Sequence, residues 1–450
     1  MPDMNPNDRR SEHVIEQLDI DAIIANPRNP RTHSPKQIAQ IAASIAEFGF
    51  TSPILVDHNN MVIAGSARFA AAKDLGFQKL PVIRLEHLTP EQVKAYVITD
   101  NKLAANAGWD DDLLRAELEQ LLVLDLDFDV TITGFDIPEM DALLSSGNAR
   151  PSGDDPLDAI PDVGIQAITQ HGDCWVIGGH RVMCGDATCS DTYAALFGEE
   201  RAQMVFCDPP FNVPINGHVS GLGKVKHREF VMASAEMSSE QFTSLLRTAF
   251  RHCADWSTDG SLQYHFMDWR HVQEITTAGS QAGLKQINLC VWAKTNAGMG
   301  SHYRSQHELV FVFKAGRAPH INNVELGKHK RYRTNVWTYA GANSFGRTRN
   351  EDLAMHPTVK PVALVADAIL DSSRPKEIIL DAFAGSGTTL IAAHKTRRRG
   401  FGIELDPLYC DVILRRLQSV TGLDPVHAGT GKTFEEVAAA RSVDATGGAA

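Results

Sequence analysis

The chain has 450 residues, 43% of them hydrophobic and 22% charged, with a formal net charge of −12; this balance specifies soluble globular domains and leaves room for two or three of them. No uninterrupted apolar run reaches the length of a membrane span, and the polar start, MPDMNPNDRRSEHV, lacks the apolar centre of a signal peptide. The seven cysteines are scattered without a C-x-x-C pair, so neither a disulfide framework nor a zinc site is indicated, no metal is expected, and a reducing cytoplasm is the expected location.

In chain order, short strands such as PILVD and PVIRL alternate with helical patterns at 34–48, 65–76 and 89–105, and a further helix is expected over 110–124. This is the pattern of a small α+β domain, assigned to residues 1–144 with its helical extension. Its charge is strongly acidic: residues 1–150 carry 13 Lys/Arg against 23 Asp/Glu. The stretch SSGNARPSGDDPLDAIPDVG (145–164), rich in Ser, Gly, Pro and Asp, reads as a linker.

Beyond it, RVMCGD, QMVFCDPPF, LVFVFK, EIILDAFAG and RGFGIELD read as buried strands, with helical patterns at 239–254, 361–373 and 388–396. Apolar strands alternating with helices imply a mostly parallel sheet covered on both faces, a Rossmann-like α/β fold over residues 165–420. The charge reverses here: residues 212–349 carry 17 Lys/Arg against 9 Asp/Glu. Within them GKHKRYRTNVW interleaves Lys328, Lys330, Arg331 and Arg333 with Tyr332 and Trp337. That mixture suits phosphate neutralisation combined with stacking, and Arg347 and Arg349 extend it. Residues 421–450, rich in Ala and Gly, are expected to fray; their GTGKT is no phosphate loop, because the earlier glycine of that motif would fall at Val426.

In EIILDAFAGSGTTLIAA (377–393) an apolar strand ends at Asp381, a turn holds Phe383, Gly385 and Gly387, and a helix opens at Thr388. Glycines at such a turn let the backbone approach a ligand. Glu404, at the end of the next strand, stands where a ribose offers its hydroxyls in a doubly wound sheet. Either a dinucleotide or a nucleoside such as S-adenosylmethionine fits this pattern, although AGSG lacks the G-x-G-x-x-G form that favours a pyrophosphate.

DPPF (208–211), HPTVKP (356–361) and DAFAGSGTT (381–389), in that order, resemble the permuted, beta-class amino-group DNA methyltransferases; VWAKTNAGMGSHYRSQHELVFVFKAG (291–316) resembles the adenine-methylating members. The resemblance implies methyl transfer from S-adenosylmethionine to adenine N6 in double-stranded DNA. Asp208, where cytosine-N4 enzymes carry Ser, points to the adenine branch. The chemistry accounts for the motif. The lone pair of an exocyclic amine is shared with its ring, so acceptors must hold both N–H groups while the nitrogen becomes pyramidal. Asp208 and the Pro209 carbonyl supply those acceptors, Pro209 and Pro210 bring no competing amide donor, and Phe211 stacks on a base taken out of the duplex. Cofactor contacts are expected from Asp381, Phe383, Gly385, Gly387 and Glu404, with Lys360 at the methionine end and Asp186 near the adenine. DNA contacts are expected from the basic region about 212–350, at the lysines and arginines named above.

Residues 14–105 resemble the ParB/sulfiredoxin-like fold through NPRNPR (26–31), AGSARFAAAKDLG (64–76) and ITDNKLA (98–104). Gly65 before a helix carrying Arg68 suits a phosphate. The absence of cysteine from residues 1–150 excludes sulfiredoxin chemistry. A regulatory, nucleotide-sensing or docking role is expected for this domain. A nucleotide or protein partner for it, and a homodimer of the whole chain, are left open. The rival readings are a cytosine-N4 enzyme and a DNA-binding regulator with a non-catalytic methyltransferase half.

Overall fold

The computed structural model describes residues 14–123, 128–146, 156–161, 163–164, 166–212, 237–295, 302–324, 333–340 and 360–447. The chain divides into two compact units, Met1–Gly147 and Asn148–Ala450.

The first unit carries a four-stranded sheet in the order β1-β4-β2-β3, formed by β1 (Ile15–Asp19), β2 (Ile54–Val56), β3 (Val62–Ala64) and β4 (Lys79–Arg84). Helix Pro35–Phe48 starts where the Ser34 side chain accepts the Gln37 amide, with Pro35 at the position that needs no donor, and it stops at Gly49. Helix Pro90–Asn106 starts on a reciprocal Thr89–Gln92 capping box. The small core gathers Ile54, Val56, Val62, Phe69, Leu80 and Val82. Helices Asp111–Val123 and Ile137–Ser146 follow, packed through Leu118, Leu122, Met140 and Leu144.

The second unit is built on a ten-stranded sheet in the order β11-β9-β10-β8-β7-β12-β13-β6-β5-β14. Its strands are β5 (Cys174–Ile177), β6 (His180–Cys184), β7 (Ala202–Cys207), β8 (Ser257–Met267), β9 (Lys285–Lys294), β10 (His307–Lys314), β11 (Val336–Tyr339), β12 (Ile378–Asp381), β13 (Arg399–Glu404) and β14 (Val426–His427). Strands β8, β7, β12, β13 and β6 run parallel, each to the next. Their apolar runs are buried on both faces, as helices on both sides of a sheet require. Helix Ser239–Asp255 carries the chain from β7 outward to β8, whereas helix Thr388–Lys395 carries it from β12 in the opposite direction to β13. The adjacent pair β7 and β12 is therefore the topological switch point, where an open α/β sheet forms its ligand crevice at the carboxyl ends of the strands.

Two expectations need correction. The described residues after 421 do not fray. Strand β14 pairs with β5, Phe434 and Val437 of helix Phe434–Gly447 are buried, and Arg441 grips Asp173 through both guanidinium nitrogens at 2.6 and 3.1 Å. Composition hid this because the anchoring residues are few and lie among alanines. The end of the presumed linker is also fixed: Asp158 accepts the Val362 amide at 2.8 Å, and Arg416 donates to the Leu157 carbonyl at 2.7 Å. No helix among the described residues is long and apolar enough to cross a membrane.

Candidate active site

Strand β7 ends at Cys207, and Asp208, Pro209, Pro210 and Phe211 follow it over the switch point. Pro209 is buried and Phe211 half-buried, its ring packed against the apolar clusters on both sides. Asn212 takes a positive φ of 51°, which Asn tolerates better than most residues, and its amide group bonds both backbone groups of Met237. That clasp joins the two ends of the segment 213–236, and nothing in the motif had signalled it.

Asp208 is paired on one side only. Its Oδ2 accepts the Lys360 ammonium at 2.5 Å, while Oδ1, shielded from solvent, has no hydrogen-bond partner among the described residues. Lys360 also lies 3.2 Å from Glu308 Oε2, and Glu308 Oε1 accepts Lys294 Nζ at 2.5 Å. Burial, reinforced by Glu308, pushes the Asp208 carboxyl up to about 6 against the opposing pull of Lys360. The two-residue period of strands explains how these groups meet. Glu308 of β10 stands opposite Trp292 of β9, and Lys294 lies two residues further along the same face. Lys360, just before helix Val362–Ser372, sits 4.8 Å from the Phe266 ring centre and 5.7 and 5.9 Å from those of Phe211 and Trp292.

The glycine turn lies across the switch point. Asp381 ends β12, and both its oxygens are engaged: Oδ1 accepts the Phe383 amide at 3.1 Å and Oδ2 the Thr389 hydroxyl at 2.6 Å. Burial pushes its carboxyl up to about 7. Gly387 caps helix Thr388–Lys395 in the left-handed region, and a Cβ there would lie 2.9 Å from Ile413 Cγ2; only glycine meets both demands. Glu404, at the end of β13, accepts the Gly385 amide at 2.7 Å and the Asp406 amide at 2.8 Å. Each of its oxygens therefore keeps one lone pair for a further donor, and burial pushes this carboxyl up to about 7 as well. A half-buried carboxylate with spare acceptor capacity beside a glycine turn fits the ribose hydroxyls of a nucleoside cofactor.

The structure brings Asp208, Pro209, Pro210, Phe211, Lys360, Asp381, Phe383, Gly385, Gly387 and Glu404 to the carboxyl edge of neighbouring strands or packs them against it. Lys360 differs in detail from the expectation, since its ammonium is paired with Asp208 and Glu308. Asp186 accepts the Thr188 amide and hydroxyl at 2.7 and 2.8 Å, closing its own turn after β6. Arg333 is not a surface cation. It bonds Asp371 at 2.8 Å, Asp367 at 3.0 Å and the Tyr339 hydroxyl at 3.1 Å, so its charge is used within the fold and the DNA contact expected of it is withdrawn. Lys328, Lys330, Arg331, Arg347 and Arg349 lie outside the described residues. Lys294, Trp292 and Phe266 were not singled out, because their convergence depends on strand pairing across residues distant in the chain.

Residues 202–415 match the family model for DNA methylase, residues 4–101 that for the ParB N-terminal domain, and residues 112–171 that for the ParB-methyltransferase HTH domain. The type II methyltransferase M2.MboI of Moraxella bovis is 26% identical over 246 residues, covering 52% of this chain and 86% of its own. M2.DpnII of Streptococcus pneumoniae is 27% identical over 248 residues, covering 51% and 88%. A solved complex of M1.HpyAVI with SAM aligns at 20% identity and a TM-score of 0.39, covering 52% of this chain and 98% of its own. Residues 202–415 are thus a DNA methylase domain, and the protein is a DNA methyltransferase. In this chain the methylase domain follows a ParB N-terminal domain and a ParB-methyltransferase HTH domain. The second of these takes in the helices first read as an extension and runs on to residue 171.

Proposed function

We propose that the protein methylates the N6 amino group of adenine at specific sites in double-stranded DNA. The observation that carries this reading is Asp208 Oδ1: a shielded carboxylate oxygen without a partner among the described residues, held beside the cofactor-type glycine turn. S-adenosylmethionine, when bound, would supply an activated methyl group on a sulfonium. The residues of this chain do the remaining work. Asp208 Oδ1 and the Pro209 carbonyl accept the two amine hydrogens, which frees the nitrogen lone pair for in-line attack. Phe211 stacks on the extruded base. Glu404 and the turn at Gly385 and Gly387 hold the nucleoside end of the donor, Asp381 fixes the shape of that turn, and Phe383 lines it.

Adenine is favoured over cytosine by Asp208 at the head of DPPF and by the 291–316 segment. Lys328, Lys330, Arg331, Arg347 and Arg349 supply phosphate contacts. In the N-terminal unit, Gly65 opens helix Ser66–Asp74 in the left-handed region, and the half-buried Arg68 keeps its Nε without a hydrogen-bond partner among the described residues. That arrangement supports a nucleotide-sensing or docking role. Incubation with labelled S-adenosylmethionine and mixed-sequence duplex DNA, followed by nucleoside analysis, tests the reading. Label in N6-methyladenine is the expected result. Label in N4-methylcytosine would retain the mechanism and overturn the base assignment.

A further inference from the structure

Four charged side chains from separate parts of the chain form one row of alternating sign: Lys294, Glu308, Lys360 and Asp208. Lys360 is only 5% and Glu308 13% exposed, against 27% for Lys294 and 22% for Asp208. The row therefore runs from a more accessible lysine through a buried carboxylate and a buried ammonium to the acceptor. Aromatic rings enclose it: Lys294 lies 4.7 Å from the Trp292 ring centre, and Lys360 faces Phe266, Phe211 and Trp292.

Ordering and burying four charges is a poor route to stability, since desolvation offsets much of the attraction and well-packed apolar groups serve as well. What this row achieves is geometric. An ammonium held between two carboxylates and three rings has little freedom to rotate, and the oxygen it bonds is fixed with it. Asp208 is consequently left with one defined oxygen, Oδ1, for another donor.

We infer that Glu308 and Lys294 are positioning residues for methyl transfer, holding Lys360 against Asp208 Oδ2 so that Asp208 presents Oδ1 to the substrate amine in one orientation. The inference rests on the reading of Asp208 as the amine acceptor. Among the described residues, the charged groups facing Asp208 are Lys360 ahead of helix Val362–Ser372, Glu308 on β10, Lys294 on β9 and Asp381 on β12. Lys360 and Lys294 favour its ionised form, while Glu308 opposes it.

The opposed signs give a test that a merely structural role would not satisfy. The pH dependence of kcat for transfer from labelled S-adenosylmethionine to duplex DNA is measured for the wild type, Glu308→Gln, Lys360→Met and Lys360→Arg, alongside the Kd for S-adenosylmethionine. Glu308→Gln, near-isosteric, should lower kcat about tenfold or more through lost orientation and move the acidic limb to lower pH, with Kd unchanged. Lys360→Met should lower kcat further and move the limb upward by about one pH unit or more, and Lys360→Arg should restore part of both. A Glu308→Gln enzyme with wild-type kcat and an unmoved limb would overturn the inference. So would limbs that move in the same direction in Glu308→Gln and Lys360→Met. If the wild type transfers methyl and Asp208→Ala does not, such a failure belongs to the row alone. Transfer that survives Asp208→Ala would remove the acceptor reading and the row with it.

Discussion

The Glu404 carboxylate accepts the Gly385 amide at 2.7 Å, tying the end of one parallel strand to the glycine turn after its neighbour, 19 residues earlier in the chain. The same carboxylate thus shapes the turn and offers acceptors to what the turn holds. Glu404→Ala should weaken S-adenosylmethionine binding by about 10- to 100-fold, the loss of one or two charge-assisted hydrogen bonds. Isothermal titration of the full-length variant measures it, and an unchanged Kd would remove Glu404 from the cofactor site.

Burial raises the Glu404 carboxyl to about 7, so its ionised form is depleted as pH falls through neutrality. Donors such as ribose hydroxyls favour that ionised form. Affinity for S-adenosylmethionine should therefore decline below pH 7, approaching about tenfold per unit where one proton is linked to binding. The stability sign is the reverse. A folded-state pKa raised above the unfolded value gives stability present at low pH and lost as pH rises through about 7. The thermal midpoint of the ligand-free wild type, minus that of Glu404→Gln, should fall between pH 5.5 and 8; a rising difference would contradict the assignment.

Gly387 combines a φ of 82° with contact against the helix that carries Ile413. Gly387→Ala should cost about 1–3 kcal/mol from left-handed strain and overpacking. Denaturant titration monitored by circular dichroism checks it, and a loss under about 0.5 kcal/mol would show that the turn adapts.

Arg333 offers the sharpest correction to the sequence reading. Because Asp367, Asp371 and Tyr339 hold its guanidinium, Arg333→Ala should destabilise the fold by about 3 kcal/mol, leaving the buried Asp371 uncompensated while the more exposed Asp367 turns to solvent. The slope of log DNA affinity against log salt should stay unchanged. A slope reduced by about one would restore the phosphate contact.

Arg441 anchors the C-terminal helix to Asp173. Arg441→Ala should cost about 1–3 kcal/mol and expose residues 426–441 to limited proteolysis, while the wild type resists cleavage there. Equal cleavage of the two would show that the apolar contacts of Phe434 suffice.

The central sheet was readable because its parallel strands are short apolar runs punctuated by DPPF, the glycine turn and GIELD. Local chemistry at those punctuation points decides both fold and site. Strands β8 and β9 were harder to read. SLQYHFM carries Gln263 and His265, buried polar residues that break the apolar pattern, and KQINLCVWAK mixes polar and apolar positions. Asp208, Gly387 and Glu404 announced themselves by position in a motif. Lys294, Trp292 and Phe266 carry no local mark; only the pairing of β8, β9 and β10 brings them together. Arg333 misled for the opposite reason: its basic neighbourhood is real, but an ionic partner such as Asp371, 38 residues away, is invisible in composition.

The most direct test of the account is single-turnover methyl transfer by Asp208→Ala, at saturating S-adenosylmethionine and duplex DNA, with cofactor affinity measured in parallel. Loss of the acceptor should lower the rate by about 10³-fold or more, the scale seen when a positioned transition-state contact is removed, with the Kd for S-adenosylmethionine within about threefold of wild type. A variant that binds the cofactor and transfers methyl to DNA near the wild-type rate would contradict the role given to Asp208.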